Sequence, residues 1–204
     1  MSAVWVLTGP LGSGKSTVAD LLAEAGAAHR DADALGHRLL DGDAAVHAGL
    51  HRLFGDGVFD DAGRPRRPAI AARVFADPAK RRDLEALLHP PILAALRREA
   101  DVWRREGAGL LVLEVVLWLQ QRQTPFGVDG VMLTWAPEPV LLDRVARRDG
   151  LGPEEARARL AAQGDWPALK ARADRVLDTD CPREVLRDRV RELYRALVPE
   201  TKRG

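Results

Sequence analysis

The sequence is short of several features that mark large classes of protein. It has a single cysteine, Cys181, in 204 residues, which excludes an internal disulfide framework and a four-cysteine zinc site. No uninterrupted apolar run approaches the ~20 residues that a membrane-spanning helix needs, and the first residues lack the positive region of a signal peptide. From these absences we expect a cytoplasmic protein with no membrane partner.

An excess of charge of one sign is also missing, because the chain has 31 basic and 30 acidic side chains and a net charge of +1. That balance excludes a dominant polybasic surface, so we expect no nucleic-acid partner. Asparagine is absent, so the guanine-reading Asn-Lys-x-Asp motif of a GTPase is absent too. What remains is a chain with 46% hydrophobic residues, long enough for one core with small inserted subdomains.

Apolar runs and helical periodicity alternate along the chain. Strands are predicted at residues 4–7, 27–30, 109–116, 128–135 and 175–178. Helices are predicted at 15–25 and 34–40, through most of 43–106 with a break at 89–91, and at 140–149, 153–163 and 182–197. Short buried strands alternating with helices indicate an α/β fold with a five-stranded parallel sheet.

A phosphate-binding pattern follows the first predicted strand. Residues 9–16 read Gly9-Pro10-Leu11-Gly12-Ser13-Gly14-Lys15-Ser16 and match G-x-x-x-x-G-K-[ST]. Glycines allow such a loop to curl so that backbone N–H groups point at phosphate oxygens, and the next helix presents its positive end to the same anion. Lys15 brings a charge to the β- and γ-phosphates, and the hydroxyl of Ser16 is a ligand for Mg²⁺. The pattern predicts a P-loop that binds ATP and Mg²⁺.

Acidic residues follow the second predicted strand, in the sequence Asp31-Ala32-Asp33. Ligands of open α/β sheets bind beyond the carboxyl ends of the strands, so Asp33 is a candidate to accept a proton from an acceptor hydroxyl. The alternative is that Asp33 only caps the next helix. The residues alone leave both interpretations open.

Further short motifs occur in a fixed order along nearly the whole chain. They are Leu7-Thr8-Gly9, Gly12 to Thr17, Asp31-Ala32-Asp33 with His37, Phe54-Gly55, Gly63 with Arg67, Val74-Phe75, Leu84-Glu85, Leu88-His89-Pro90, Arg144, Arg148-Asp149-Gly150, Arg159 with Gln163, Lys170, and Ala173-Asp174 with Val176. In this order and spacing the chain resembles bacterial dephospho-coenzyme A kinases. Only the P-loop is specific by itself.

The resemblance implies a P-loop kinase with a three-layer α/β/α core, in which residues 1–204 form one kinase domain. A helical substrate-binding subdomain would occupy about 30–108, and a lid about 138–165. The family transfers the γ-phosphate of ATP to the 3′-hydroxyl of dephospho-coenzyme A, the last step of coenzyme A synthesis. The expected partner is therefore this small-molecule substrate, and we expect a monomer or a weak homo-oligomer.

The resemblance also implies roles for individual residues. Asp33 would be the general base, and Lys15, Arg144 and Arg148 would complete the catalytic set. The resemblance assigns metal binding to Ser16, and it assigns ATP binding to Leu11, Gly12, Ser13, Gly14, Lys15, Ser16 and Thr17. Substrate binding is carried over onto Asp33, His37, Arg67, His89, Pro90 and Gln163.

The chain departs from the family pattern at several places outside the P-loop. After the third strand, Glu114 and Gln120 alter the two acids of the pattern and Val116 replaces its proline, while Leu141 replaces a glutamine and Thr179 an asparagine. One alternative is therefore a P-loop kinase of another small nucleoside or hydroxyl acceptor. A second is a nucleotide-driven switch or ATPase, which would turn over ATP with no acceptor present.

Overall fold

The computed structural model describes residues 2–116, 118–120 and 126–198. The strands are β1 (Ser2–Thr8), β2 (Ala28–Asp31), β3 (Gly109–Glu114), β4 (Gly130–Trp135) and β5 (Arg175–Asp178). The helices are α1 (Lys15–Glu24), α2 (Ala32–Gly42), α3 (Ala44–Phe54), α4 (Arg67–Ala76), α5 (Pro78–Glu106), α6 (Glu138–Asp149), α7 (Pro153–Ala161), α8 (Trp166–Lys170) and α9 (Arg183–Leu197), with a 3₁₀ turn at Asp56–Val58. Among the described residues no helix combines the length and apolar content needed to cross a membrane.

The five strands form one sheet in the order β2-β3-β1-β4-β5. Strand β1 lies at its centre, parallel to β3 on one side and to β4 on the other, and β5 runs parallel to β4. The register places Leu7 opposite Glu114 of β3 and Met132 of β4. The predicted five-stranded parallel sheet is confirmed, and the loop that follows β1 emerges from the middle of its carboxyl edge.

Both faces of the central strands are buried, which explains why these strands read as continuous apolar runs. Residues Trp5 and Leu7 of β1 point into a cluster with α1 and α9, which contribute Leu22 and Val190. The alternate residues of β1, such as Val6, whose side chains point to the opposite face of the sheet, are also fully buried. A three-layer arrangement is the direct result, since a parallel sheet needs helices on both faces.

Residues Asp31–Arg98 form a compact unit of their own, distinct from the unit made by residues 1–30 and 99–204. Its helices pack closely at glycines, which have no side chain. A Cβ on Gly49 of α3 would lie 2.4 Å from Cδ1 of Leu87 on α5, and one on Gly36 of α2 would lie 3.1 Å from Cδ1 of Ile92. These glycines allow α2 and α3 to approach α5 and enclose a core around Leu50.

The start of α2 differs from the expectation that Asp33 is its cap. The N-cap is Asp31, whose carboxylate accepts a hydrogen bond of 2.8 Å from the backbone N–H of Asp33. Asp33 lies in the first helical turn, and its side chain is exposed. The capping interpretation of Asp33 is therefore wrong, because the helix begins two residues earlier than its periodicity indicates.

The predicted break at residues 89–91 is also wrong. Helix α5 runs unbroken for 29 residues, with Pro90 and Pro91 inside it. Proline costs a helix its N–H donor, but its fixed φ is compatible with helical backbone. Leu87 on one side of the prolines and Leu96 on the other are both packed in apolar surroundings, so tertiary packing holds both halves. The actual helix boundary is Asp77, between α4 and α5.

Smaller differences concern element lengths. Strand β3 ends at Glu114 and β4 begins at Gly130, so both are shorter than their apolar runs. Helix α8 is not predicted, because five residues are too few to display a helical period. Its start is stabilised by Asp165, whose carboxylate accepts the N–H of Ala168 at 3.2 Å.

The unbroken α5 makes a test possible. Replacing Pro91→Ala restores an N–H donor toward the carbonyl of Leu87 and removes the ring clash, so the free energy of unfolding should rise by about 1–3 kcal/mol. The matched control is Pro153→Ala at the first position of α7, where proline suits the helix and its loss should stabilise nothing. Urea unfolding of both variants measures the difference. A Pro91→Ala protein no more stable than wild type would contradict a continuous helix.

Candidate functional site

The loop between β1 and α1 is curled at three glycines, Gly9, Gly12 and Gly14, all with positive φ. At Gly9 the close approach of β4 requires glycine as much as the backbone φ does, because a Cβ there would lie 2.3 Å from Oγ1 of Thr134. A Cβ on Gly12 would lie 2.8 Å from the carbonyl oxygen of Leu141 on α6. A side chain at either position would force neighbouring atoms to move, so the curl depends on Gly9 of the sequence pattern and on Gly12, which occupies one of its variable positions.

Lys15 begins α1 and reaches back over the loop. Its Nζ donates to the carbonyl oxygens of Gly9, at 2.9 Å, and Pro10, at 3.1 Å. Helix α1 begins at this residue, and the first amides of a helix have no intrahelical acceptor. The result is a concave group of donors with one full positive charge, which suits a polyphosphate.

Buried threonines support the loop from below. The Ser13 hydroxyl lies 2.6 Å from Oγ1 of Thr134, and the Thr179 hydroxyl lies 2.9 Å from the carbonyl oxygen of Ser13. Arg144 of α6 donates to Oγ1 of Thr179 at 3.1 Å and to its carbonyl oxygen at 2.8 Å, and approaches the carbonyl oxygen of Gly12 at 3.4 Å. Arg144 therefore joins α6, the end of β5 and the phosphate loop.

A second connection holds the outer part of the loop. The backbone N–H of Leu11 donates to Oε1 of Gln163 at 2.7 Å. Nε2 of Gln120, in the segment after β3, donates to the carbonyl oxygen of Gln163 at 3.0 Å. The structure thus places Gln163, which the resemblance assigns to the substrate, in contact with the phosphate loop.

A buried carboxylate at the end of β3 is a candidate site residue to which the sequence analysis assigns no role, although it stands where the family pattern has its first acid after the third strand. Glu114 is 8% exposed and sits one strand away from the loop, opposite Leu7 in the register. Its Oε2 lies 3.2 Å from Nε2 of His29. The available signal was an acid ending a run of buried apolar residues, next to the strand that feeds the P-loop.

The remaining arginines of α6 differ in their surroundings. Arg148 makes a two-pronged hydrogen bond to Asp149, of 2.7 and 3.0 Å, which lowers the pKa of the Asp149 carboxyl and raises the pKa of Arg148. Arg159 of α7 lies 3.5 Å from the same carboxylate. Arg147 is exposed and paired with Asp143, at 2.9 Å. Only Arg144 of this helix is hydrogen-bonded to the loop.

In the unit Asp31–Arg98 the structure brings together three of the predicted substrate residues. Asp33 and His37 are exposed and one turn apart on α2, so they share a face. Arg67 donates to the carbonyl oxygen of His37 at 3.4 Å and forms an ion pair with Asp41, one turn further along α2. Asp33, His37 and Asp41 thus make an exposed polar face of α2, to which Arg67 of α4 is bound.

His89 and Pro90 belong to the same unit but not to this ion pair. They lie in α5 just before Ile92, the residue that packs on Gly36 of α2. His89 is half-buried and Pro90 is exposed. Both therefore lie next to the point where α5 contacts α2, within the unit that contains Asp33.

A cavity of about 320 Å³ adjoins the phosphate loop. It is lined by Gly14, Thr17, Arg144, Thr179, Cys181, Arg183 and Leu186. A planar guanidinium and an apolar side chain suit a flat aromatic group. Across residues 2–116, 118–120 and 126–198, no three His, Cys, Asp or Glu side chains cluster as a protein-only metal cage.

Comparison with known proteins decides the family. The family model described as dephospho-CoA kinase matches residues 3–183. The chain is 41% identical over 190 residues to the dephospho-CoA kinase of Symbiobacterium thermophilum, covering 93% of this chain and 79% of that one. This chain belongs to the dephospho-CoA kinase family.

Solved structures agree with this assignment. A crystal structure from Thermus thermophilus is 34% identical, with a TM-score of 0.76 and coverage of 97% of this chain and 99% of that one. The dephospho-CoA kinase from Campylobacter jejuni is 21% identical with a TM-score of 0.69, covering 97% and 98%, and shows the same fold. Against the usual family pattern, Thr179 is a departure, yet here its hydroxyl and carbonyl both take part in supporting the loop.

That role of Thr179 can be tested by removing one hydroxyl. The isosteric Thr179→Val leaves the carbonyl oxygen of Ser13 and the guanidinium of Arg144 without this partner, so unfolding should become easier by about 1–2 kcal/mol. Thr179→Ser keeps the hydroxyl and is the control, which should lose clearly less stability. Chemical denaturation of the two variants distinguishes them. Equal stability of the Val variant and wild type would mean that the hydroxyl supports nothing.

Proposed function

We propose that this chain is a dephospho-coenzyme A kinase that transfers the γ-phosphoryl group of ATP to the 3′-hydroxyl of dephospho-coenzyme A. The observation that carries the proposal is the curled loop with Lys15 over it, in a chain whose family match spans residues 3–183. In the reaction, the acceptor oxygen bonds to the γ-phosphorus and the bond to the β,γ-bridging oxygen breaks. The products are coenzyme A and ADP, and the hydroxyl proton passes to a base.

The donor would bind along the loop and into the adjoining cavity. Backbone N–H groups of the loop and of the first turn of α1 would bind the phosphates, and Lys15 would neutralise charge on the β- and γ-groups. The adenine would enter the cavity beside Arg144 and Leu186, where a guanidinium can stack on its face. Arg144 is already held there by Thr179, so little side-chain entropy is lost on binding.

The oxygen ligands at the start of α1 and the end of β3 fit Mg²⁺. Ser16 is exposed in the first turn of α1, and the Glu114 carboxylate is buried near the loop on the adjacent strand. Hydroxyl and carboxylate oxygens are the ligands that this cation prefers, so Ser16 and Glu114 would hold it. When bound, it neutralises charge on the phosphates during transfer.

Asp33 would be the base that takes the hydroxyl proton. It follows the carboxyl end of β2 by two residues, and the capping role that competed for it belongs to Asp31. An exposed carboxylate in a first helical turn can contact a bound ligand without disturbing its helix. His37 on the same face of α2, and Arg67 of α4, which is hydrogen-bonded to the His37 carbonyl oxygen, would then bind polar groups of the acceptor.

Arg148 would stabilise the migrating phosphoryl group. Its guanidinium is charged at every relevant pH, and the two bonds to Asp149 orient it. Charge on the phosphoryl oxygens is redistributed in the transition state, so a guanidinium there acts mainly on the rate. Arg159 shares the same carboxylate and would reinforce the local positive charge.

The decisive experiment measures ADP release with dephospho-coenzyme A, adenosine, AMP or no acceptor. We expect turnover with dephospho-coenzyme A to exceed that with the other acceptors by at least ~10², because the rest of the molecule contributes binding energy to the transition state. A preference for adenosine or AMP would favour the kinase of a different acceptor. Steady turnover without acceptor would favour an ATPase switch.

The base is tested by Asp33→Asn, which keeps the shape of the side chain but cannot accept the proton. We expect kcat to fall by roughly 10²–10⁴ while the affinity for ATP is nearly unchanged. The control is Asp43→Asn, since Asp43 caps α3 and asparagine caps a helix equally well. Steady-state kinetics and ATP titration of both variants provide the comparison. A fully active Asp33→Asn enzyme would place the base elsewhere.

The arginines of α6 are tested by paired alanine substitutions at adjacent positions. Arg148→Ala should lower kcat at saturating ATP by at least ~10², because it removes a charge that acts in the transition state. Arg147→Ala removes an exposed arginine paired with Asp143 and should cost less than about threefold. If the two variants lose the same activity, or none, Arg148 is an ordinary surface residue.

A further inference from the structure

Gln163 lies just beyond the last turn of α7, in a turn closed by hydrogen bonds from its own N–H to Leu160 and from Gly164 to Ala161. Its side-chain oxygen accepts the Leu11 amide at 2.7 Å, and its backbone oxygen accepts from Gln120 at 3.0 Å. One residue thus connects three segments that are far apart in sequence. The two bonds use different ends of Gln163, so its backbone is anchored while its side chain contacts the loop.

The bond to Leu11 acts on the outer turn of the phosphate loop. The inner part is held by the buried hydroxyl of Ser13, and the carbonyl oxygen of Pro10 accepts from the Ser13 N–H at 3.2 Å and from Nζ of Lys15 at 3.1 Å. Pro10 has no N–H to contribute, so the amide of Leu11 is the backbone donor that connects this turn to another segment. The acceptor for that amide is the side chain of Gln163.

We propose that Gln163 is a positioning residue that holds the phosphate loop in its nucleotide-binding curl and thereby sets the affinity for ATP. The inference rests on the proposed function, and it differs from the substrate contact that the family resemblance implies for Gln163. A loop that is already curled loses less conformational entropy when phosphates bind. The effect of Gln163 therefore belongs to the binding of ATP alone, before any acceptor is present.

The test is Gln163→Met, which keeps the length of the side chain but removes the acceptor. The dissociation constant for ATP, measured calorimetrically without acceptor, should rise about tenfold, the factor expected when a partly buried amide loses its partner. The KM for dephospho-coenzyme A should stay within twofold of wild type. Amide hydrogen exchange should become faster at Leu11, which identifies the bond that was lost.

Two further variants separate positioning from general damage. Arg157→Met changes an exposed residue of α7 whose ion pair with Glu154 is at the surface, so it should leave both constants and the Leu11 exchange rate unchanged. Gln163→Glu retains an acceptor oxygen at the same place, so Leu11 should remain protected from exchange. Protection in the Glu variant and loss in the Met variant would show that the acceptor oxygen is what matters.

The opposite results overturn the proposal. An unchanged dissociation constant for ATP with a raised KM for dephospho-coenzyme A would return Gln163 to the acceptor site. Unchanged values of both, with Leu11 equally protected, would mean that the bond has no role. Failure of the proposed function is seen separately in the wild-type protein, as ATP binding without transfer to dephospho-coenzyme A.

Discussion

The close approach of Gly9 to Thr134 is the constraint on which the rest of the site depends. A single Cβ at Gly9 would lie 2.3 Å from a side-chain oxygen of β4, so the chain can turn here only without a side chain. Because β4 is hydrogen-bonded to β1, this contact aligns the loop with the centre of the sheet. The position of Lys15, and of the first amides of α1, follows from that turn.

The curl is then held from two directions by polar contacts of long sequence range. Arg144 and Thr179 connect α6 and the end of β5 to the inner loop, and Gln163 holds the outer loop. Two of these contacts pair a backbone group of the loop, the carbonyl oxygen of Ser13 and the N–H of Leu11, in partly buried or buried surroundings. The loop is therefore ordered before phosphates bind, and part of the conformational entropy that binding would cost is already lost during folding.

The residues proposed to bind the acceptor lie on α2 and at the start of α4 rather than on a loop. Helix α2 presents Asp33 and His37 on one exposed face, and Arg67 is bound to the same face through His37 and Asp41. The helix itself is capped by Asp31 and packed at Gly36, so neither its N-cap nor its close contact with α5 is supplied by Asp33.

The sequence by itself determined the parallel sheet and the phosphate loop, because both are written in local patterns: buried apolar runs, and glycines with a lysine and a serine at set spacing. Two predictions from local signals are wrong. The start of α2 was placed two residues late, because Asp31 and not Asp33 is its N-cap, and α5 was expected to break at Pro90, where tertiary packing keeps the helix continuous. The contacts of Thr179, Gln163 and Glu114 were decided only by the tertiary structure. Their partners lie 35 to 166 residues away in sequence, and no periodicity shows which distant group a side chain will contact.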